Sequence, residues 1–96
     1  MTAPDLTARV RPRADVLMRD LEGEAVIVEL TSGRYFGLDE IGTDIWRWIE
    51  EHQQLSAVHE AMTTRYEVAA PDAERDLLQL VGELLEAGLL EPVVDA

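Results

Sequence analysis

The sequence predicts an α+β, winged-helix-like domain in which a three-stranded antiparallel sheet is followed by three helices. Short apolar segments with β-branched residues, separated by glycine turns, precede residue 39. Apolar positions then recur at helical spacing in three stretches that carry start or stop signals. The 96 residues are 47% hydrophobic and include no cysteine, so one domain with an ordinary core is expected without disulfides.

Strands are predicted over residues 16–19, 25–30 and 34–38. The turns Glu22-Gly23 and Ser32-Gly33 separate them, and the β-branched run inside the second segment is typical of a central strand. Tight turns between consecutive strands favour a meander in the order one, two, three. The third strand is therefore expected at an edge of the sheet.

Helices are predicted from Asp39 to about residue 51, from Ser56 to about Tyr66, and from Pro71 to about Ala87. Asp39 and Ser56 are expected N-caps, and Gly88 is the expected left-handed stop of the third helix. The first helix presents one apolar stripe, with Trp46 at its margin. The stripe consists of Ile41, Ile45, Trp48 and Ile49.

The third helix carries more apolar residues than one packed face needs: Leu77, Leu78, Leu80, Val81, Leu84 and Leu85. Two interpretations remain open from this pattern. The helix is central in a small core, or one flank lines a groove, the flank formed by Leu77, Leu80, Val81 and Leu84.

The chain is expected to divide into a flexible N-terminal arm at 1–13, a domain at 14–91 and a short C-terminal tail at 92–96. No segment has the apolar run of a secretory signal or a membrane span. A soluble protein is therefore predicted, and the absence of cysteine fits a cytoplasmic location. The sequence gives no signal for an oligomer, and a monomer is the simplest expectation.

Charge is distributed unevenly along the chain. The formal net charge is -12, of which residues 1–34 contribute -1 (five Arg, six acids) and residues 35–96 contribute -11 (three Arg, fourteen acids). Such a surface repels nucleic-acid phosphates and attracts a basic or neutral partner. The acidity could alternatively serve only solubility.

Residues for catalysis, metal binding or cofactor binding are not predicted. His52 and His59 are predicted in or beside different helices, so a shared metal site is not expected, and the scattered acids give no sign of a catalytic pair. Gly33 and Gly37 flank a strand and do not form a phosphate loop.

The stretch GRYFGLDEIGTDIWRW, residues 33–48, resembles the PqqD-like family, the recognition elements of ribosomally made, post-translationally modified peptides (RiPPs). The pattern is a glycine turn, an aromatic strand, then Leu-(Asn or Asp)-x-x-Gly with Ile-Trp shortly after. A second match is LLEAGLLE at 84–91, and the resemblance covers about 14–91. Aspartate stands where asparagine is common, and either can cap a helix. The matching residues are Gly33, Tyr35, Leu38, Asp39, Gly42, Ile45 and Trp46.

The resemblance implies that the chain binds the leader segment of a precursor peptide. In the family the leader adds as an antiparallel strand on the third strand, in the cleft between that strand and the third helix. The free-standing form is most similar to the recognition protein of lasso-peptide pathways. That protein works beside a separate transglutaminase-like cysteine leader peptidase, and lasso leaders typically offer a Tyr-x-x-Pro element.

The resemblance and the strand pattern together predict the peptide-binding residues. The main chain of Arg34, Tyr35 and Phe36 would pair with the leader, with the side chains of Phe36 and Leu38 on the core face and Tyr35 on the other. The helix would supply an apolar wall and two acids for leader cations, namely Leu77, Leu80, Val81 and Leu84 with Asp76 and Glu83.

Three alternatives to a lasso-peptide role remain open. One is the same leader-binding fold serving another RiPP or quinone-cofactor pathway with a radical enzyme. A structural or regulatory interaction domain is another. The last is a DNA-binding winged helix, which residues 71–91 disfavour because they hold six acids and only Arg75.

Overall fold

Three antiparallel strands precede three helices, as the sequence predicts, and a second, two-stranded sheet joins the two ends of the chain. The computed structural model describes residues 4–22 and 24–94. The elements are β1 (Val10–Pro12), β2 (Val16–Leu21), β3 (Glu24–Glu29), β4 (Tyr35–Leu38), α1 (Glu40–His52), α2 (Leu55–Arg65), α3 (Ala70–Glu86) and β5 (Leu90–Pro92). The larger sheet has the order β2-β3-β4, which confirms the meander and the edge position of β4.

One face of the β2-β3-β4 sheet packs on the helices. Ile27 is fully buried at the centre of a cross-strand row with Met18 and Phe36, and Ala25 is buried beside Leu38. Alternation then turns Tyr35 to the opposite face, where 76% of it is exposed. The predicted facing of these three β4 side chains is confirmed.

The Leu-Asp-x-x-Gly segment forms the junction between β4 and α1. The carboxylate of Asp39 accepts the backbone N–H of Gly42 at 2.7 Å and caps the helix as predicted. A Cβ at position 42 would lie 3.2 Å from both Asp39 Oδ1 and Leu38 Cδ2. A side chain at this position would push Asp39 or Leu38 aside by a few tenths of an ångström, so glycine fits best where the cap and the end of the strand meet.

Replacing Asp39 by alanine is expected to lower the free energy of unfolding by about 0.5–2 kcal/mol, because the first turn of α1 loses a charged acceptor. Chemical denaturation followed by circular dichroism measures the change. Asp39→Asn, which keeps an acceptor oxygen, is the control and should retain most of the stability. Equal losses in both variants would contradict the capping role.

The structure differs from the predicted helices in three details. Trp46 is only 1% exposed and is a core residue rather than a marginal one, whereas Ile41 is 48% exposed and lies outside the core. Helix α2 begins at Leu55, so Ser56 lies inside its first turn and is not the N-cap. Gly88 has φ +78, as expected of the residue that ends α3.

The second small sheet joins part of the predicted arm to the end of the predicted domain and the first residue of the predicted tail. β1 pairs antiparallel with β5, matching Val10 with Pro92 and Pro12 with Leu90, and Val10 is 1% exposed. The assignment of residues 10–12 to a flexible arm is therefore wrong, because Val10 supplies apolar surface to the core. This pairing also brings the end of α3 next to the start of the folded chain. Residues 1–3, 95 and 96 of the arm and tail, together with Gly23 of the first turn, lie outside the described residues.

Candidate functional site

The outer edge of β4 is open along its length. In the part of the chain that the structure describes, β4 pairs with β3 on one side and with no strand on the other. Helix α3 packs against α2 and β5 and stands across a groove from this edge. An open edge next to a groove can accept an extended chain as a further strand.

The hydrogen bonds around the β3–β4 turn determine which main-chain groups of β4 face outward. The N–H of Glu29 donates to the carbonyl of Arg34 at 2.8 Å, so residues 29 and 34 form a hydrogen-bonded pair. Such pairs recur at every second residue in an antiparallel ladder. Phe36 and Leu38 therefore direct their main-chain groups to β3, while those of Tyr35 and Gly37 point away from the sheet.

The opposite side of β3 supports this assignment. The N–H of Leu30 donates to the carbonyl of Asp15 at 2.8 Å, so even-numbered residues of β3 face β2 and odd-numbered residues face β4. The N–H of Arg34 donates to the hydroxyl of Ser32 at 3.2 Å, and the carbonyl of Arg34 already accepts from Glu29. Of the three residues predicted to pair with a peptide, only Tyr35 offers both main-chain groups, and Gly37 offers a second pair.

A groove of about 540 Å³ lies between the end of β4, the start of α1 and one flank of α3. Phe36, Leu38 and Ile41 supply apolar surface from the strand and the first helix. Leu80 supplies it from α3. The polar groups on the α3 side are Asp76, Gln79 and Glu83.

A smaller hollow of about 90 Å³ lies at the other end of β4, lined by Arg34, Tyr35, Phe36, Ala87 and Leu89. Phe36 lines both spaces and separates them. The Arg34 guanidinium donates to the carbonyl of Ala87 at 3.0 Å, which ties the start of β4 to the end of α3. Arg34 therefore closes one end of the cleft, and neither of its main-chain groups is available for a peptide.

The predicted apolar wall on α3 is mostly core. Leu77, Val81 and Leu84 are each 0% exposed, so their assignment to the groove is wrong. They are buried because α3 is central, which was the other interpretation of its surplus apolar residues. Leu80 lines the groove as predicted.

The remaining groove residues divide into predicted and missed ones. Asp76 and Glu83 line the groove, where they were expected to be available for leader cations. Ile41 and Gln79 were missed as lining residues. Ile41 matched the apolar stripe of α1, and its position one residue into the helix, next to the strand end, is what takes it out of the core.

The α3 side of the groove is acidic because it carries the carboxylates of Asp76 and Glu83, which lie two turns apart on the helix. Asp76 is partly neutralised by Arg75, whose Nε lies 3.5 Å from it, and Arg75 also pairs with Asp72 at 3.4 Å. No described cation pairs with Glu83. A cationic group entering near Glu83 would therefore meet the less compensated charge.

Other chemistry has little structural support in the described part of the chain. It contains no group of three or more potential metal ligands, and none of its helices combines the length and apolar character of a membrane span. His59 Nε2 lies 2.8 Å from the carbonyl of Ala70. The Tyr66 hydroxyl donates to the Asp44 carboxylate, and this bond raises the pKa of Tyr66 to about 12. Tyr66 is thus not an acid or base for neutral pH.

The fold and the site together define a small domain with a strand-addition site: a vacant antiparallel edge, a groove beside it and an acidic helix across the groove. Comparison with known proteins agrees with this class. The family model for coenzyme PQQ synthesis protein D (PqqD) matches residues 24–90. This match spans more than half of the chain, which therefore belongs to the PqqD family.

Two solved structures are similar to the chain over almost their whole length. One is TbiB1 in complex with the TbiA(beta) leader peptide, with 33% sequence identity, a TM-score of 0.82, and coverage of 88% of this chain and 99% of that one. The other is a lasso peptide synthetase B1 complexed with the leader peptide, with 29% identity, a TM-score of 0.80, and coverage of 88% and 100%. Among curated proteins, none matches the chain significantly. The resemblance to a PqqD-like RiPP recognition element is confirmed.

Proposed function

We propose that this chain binds the leader segment of a ribosomal precursor peptide and presents it to a separate transglutaminase-like cysteine leader peptidase in lasso-peptide biosynthesis. The chain itself catalyses no reaction and needs no cofactor. It acts as a cytoplasmic monomer. The observation that carries the proposal is the outward-facing main chain of Tyr35 and Gly37 beside the groove lined by Leu80.

The mechanism divides affinity and selectivity between backbone and side chains. Main-chain hydrogen bonds along β4 hold an extended segment with little demand on its sequence, and apolar side chains that enter the groove or the hollow supply the selectivity. Holding the leader raises the effective concentration of the rest of the peptide at the peptidase.

The bound segment has a defined direction in this proposal. Every strand pair in the sheet is antiparallel, and sheets of one pairing type are favoured, so the leader also runs antiparallel to β4. Its N-terminal residues lie along the acidic groove near Leu38. Its C-terminal residues leave the domain past Tyr35 and Arg34.

Fluorescence anisotropy with a labelled leader peptide tests the binding function. The leader is expected to bind with saturation, whereas labelled duplex DNA of equal concentration is expected not to bind, because a chain with net charge -12 repels phosphates. Tight binding of DNA without binding of any leader would favour a winged-helix regulator and refute the proposal.

A leader from another pathway addresses the second candidate function. The matched family model describes a protein of coenzyme PQQ synthesis, and such a client would use the same edge. A quinone-pathway precursor offered in competition with a lasso leader separates the two. Stronger binding of the quinone precursor would show that this chain serves the quinone pathway and not lasso-peptide biosynthesis.

Replacing Glu83 by glutamine is expected to weaken binding of a leader with a basic residue in its N-terminal half by about threefold, since one exposed ion pair contributes about 0.2–1 kcal/mol. The same titration at high salt should remove the difference between variant and parent. Glu74→Gln, on the same helix but not among the groove-lining residues, is the matched control. Identical affinities for the Glu83→Gln variant and the parent at low salt would show that Glu83 does not contact the peptide.

A further inference from the structure

The side chain of Arg34 crosses the cleft at the narrow end of the binding edge. Arg34 is separated from Phe36 and Leu38 by even numbers of residues, so its side chain leaves the chain on the face that the helices cover. From there its guanidinium donates to the carbonyl of Ala87, at 3.0 Å, directly after the end of α3. One side chain thus links the start of β4 to the end of α3.

The end of α3 favours a cation at this place. The carbonyl groups that end a helix carry partial negative charge, and positively charged side chains are stabilised next to them. The sequence of the last turn of α3 contains no basic residue, so the cation comes from Arg34, which is 53 positions away from Ala87 along the chain. The helix end therefore stabilises the conformation in which Arg34 reaches across the cleft.

Strand β3 supplies a second contact for the guanidinium. Glu29 and Arg34 form a hydrogen-bonded cross-strand pair, and the side chains of such a pair lie on the same face of a sheet. A Cβ at Gly88 would lie 3.6 Å from the Glu29 carboxylate and 3.9 Å from the Arg34 guanidinium, so both charged groups lie close to Gly88. The guanidinium is thus held between the end of α3 and an acid of β3.

The cleft is narrow where this side chain crosses it. The groove near Leu38 has a volume of about 540 Å³, whereas the hollow beside Arg34 has about 90 Å³. Both main-chain groups of Arg34 are occupied within the turn between β3 and β4, as described above. Arg34 can therefore affect a bound peptide only through its side chain.

We propose that Arg34 is a positioning residue, which fixes the distance between β4 and the end of α3 before the peptide arrives. The inference rests on the proposed function and adds to it a residue that acts without main-chain pairing. A site that is already ordered binds more tightly, because less conformational entropy is lost on association. Without the bond from Arg34 to Ala87 this end of the cleft is more variable, and the leader has to order it on binding.

A distance measurement tests the position of α3 without any peptide. The chain contains no cysteine, so two nitroxide spin labels can be attached at Leu30→Cys, directly after β3, and at Glu86→Cys, at the end of α3. Both residues are exposed. Electron paramagnetic resonance is expected to give one narrow distance distribution in this labelled chain and a broader one when Arg34→Met is added. The same distribution in both proteins would overturn the inference.

Fluorescence anisotropy with a labelled leader tests the consequence for binding. Arg34→Met is expected to weaken binding by about fivefold, within the range that one net hydrogen bond contributes. Arg34→Lys keeps a cationic donor and should bind within about twofold of the parent. Arg11→Ala is the matched control, since it removes an exposed arginine that pairs with Glu91 in the other sheet, and it should leave binding unchanged.

Two binding results would contradict the positioning role. Parent-like affinity of Arg34→Met would show that the bond to Ala87 does not matter for the peptide. Equal losses in Arg34→Lys and Arg34→Met would indicate that the guanidinium contacts the peptide itself. Circular dichroism checks that each variant is folded, and Arg34→Gln takes the place of Arg34→Met if the latter unfolds. Failure of the parent to bind any leader would remove the proposed function, whereas the spin-label distances would still decide whether Arg34 positions α3.

Discussion

Proline at position 35 is expected to weaken leader binding by at least about tenfold, which corresponds to about 1.4 kcal/mol. Tyr35 directs its N–H away from β3, so Tyr35→Pro removes a donor from the open edge without removing a hydrogen bond from the ladder. A carbonyl of the peptide would then be left without a partner, and that costs about 1–3 kcal/mol. Anisotropy titration measures the loss, and circular dichroism checks that the helices remain.

Two controls separate the backbone from the side chain. Tyr35→Val keeps the N–H and suits a strand, so it should bind markedly better than Tyr35→Pro. Phe36→Pro removes an N–H that faces β3, so it should lower the melting temperature instead. If Tyr35→Pro binds the leader as well as the parent does, the peptide is not held by the main chain at this position.

Truncating Leu77 and Leu80 to alanine is expected to give opposite results, although the two residues are one turn apart on α3. Leu77 is 0% exposed, so Leu77→Ala should lower the free energy of unfolding by about 2–5 kcal/mol, through lost burial and a cavity. In a domain of this size that loss corresponds to about 8 °C or more in melting temperature.

Leu80→Ala should cost little stability and should weaken leader binding, because Leu80 is half-buried and faces the groove. Thermal unfolding and anisotropy, measured on both variants, give the comparison. Binding by Leu77→Ala is to be measured well below its melting temperature, where the domain is folded. A large stability loss in Leu80→Ala with unchanged binding would place Leu80 in the core and remove the apolar contact from the α3 side.

The binding edge shows how much of the structure local sequence patterns can predict. The glycine turns, the apolar alternation and Asp39 with Gly42 are local features, and they predicted the three strands, the helix order and the edge position of β4. Which β4 amides face outward depends on the Glu29–Arg34 hydrogen bond, and that bond depends on the geometry of the turn. Of the predicted residues Arg34, Tyr35 and Phe36, only Tyr35 directs both main-chain groups outward, and our proposal therefore pairs the peptide with Tyr35 and Gly37.

The third helix shows what the spacing of apolar residues cannot predict. Periodicity identified its apolar residues but could not say which flank packs against α2, because helical spacing is the same whichever neighbour covers a face. Only the packing of α3 separated buried Leu77 from groove-lining Leu80. The pairing of β1 with β5 was missed for a related reason, since two three-residue segments some eighty positions apart carry no local signal.

By itself the sequence determined the fold class, the family resemblance and an acidic chain with an open strand edge, because these follow from residue spacing, caps and net charge. The tertiary structure decided which main-chain groups of β4 face outward and which leucines line the groove. Those properties arise from contacts between distant segments, whose geometry is fixed only when the core packs.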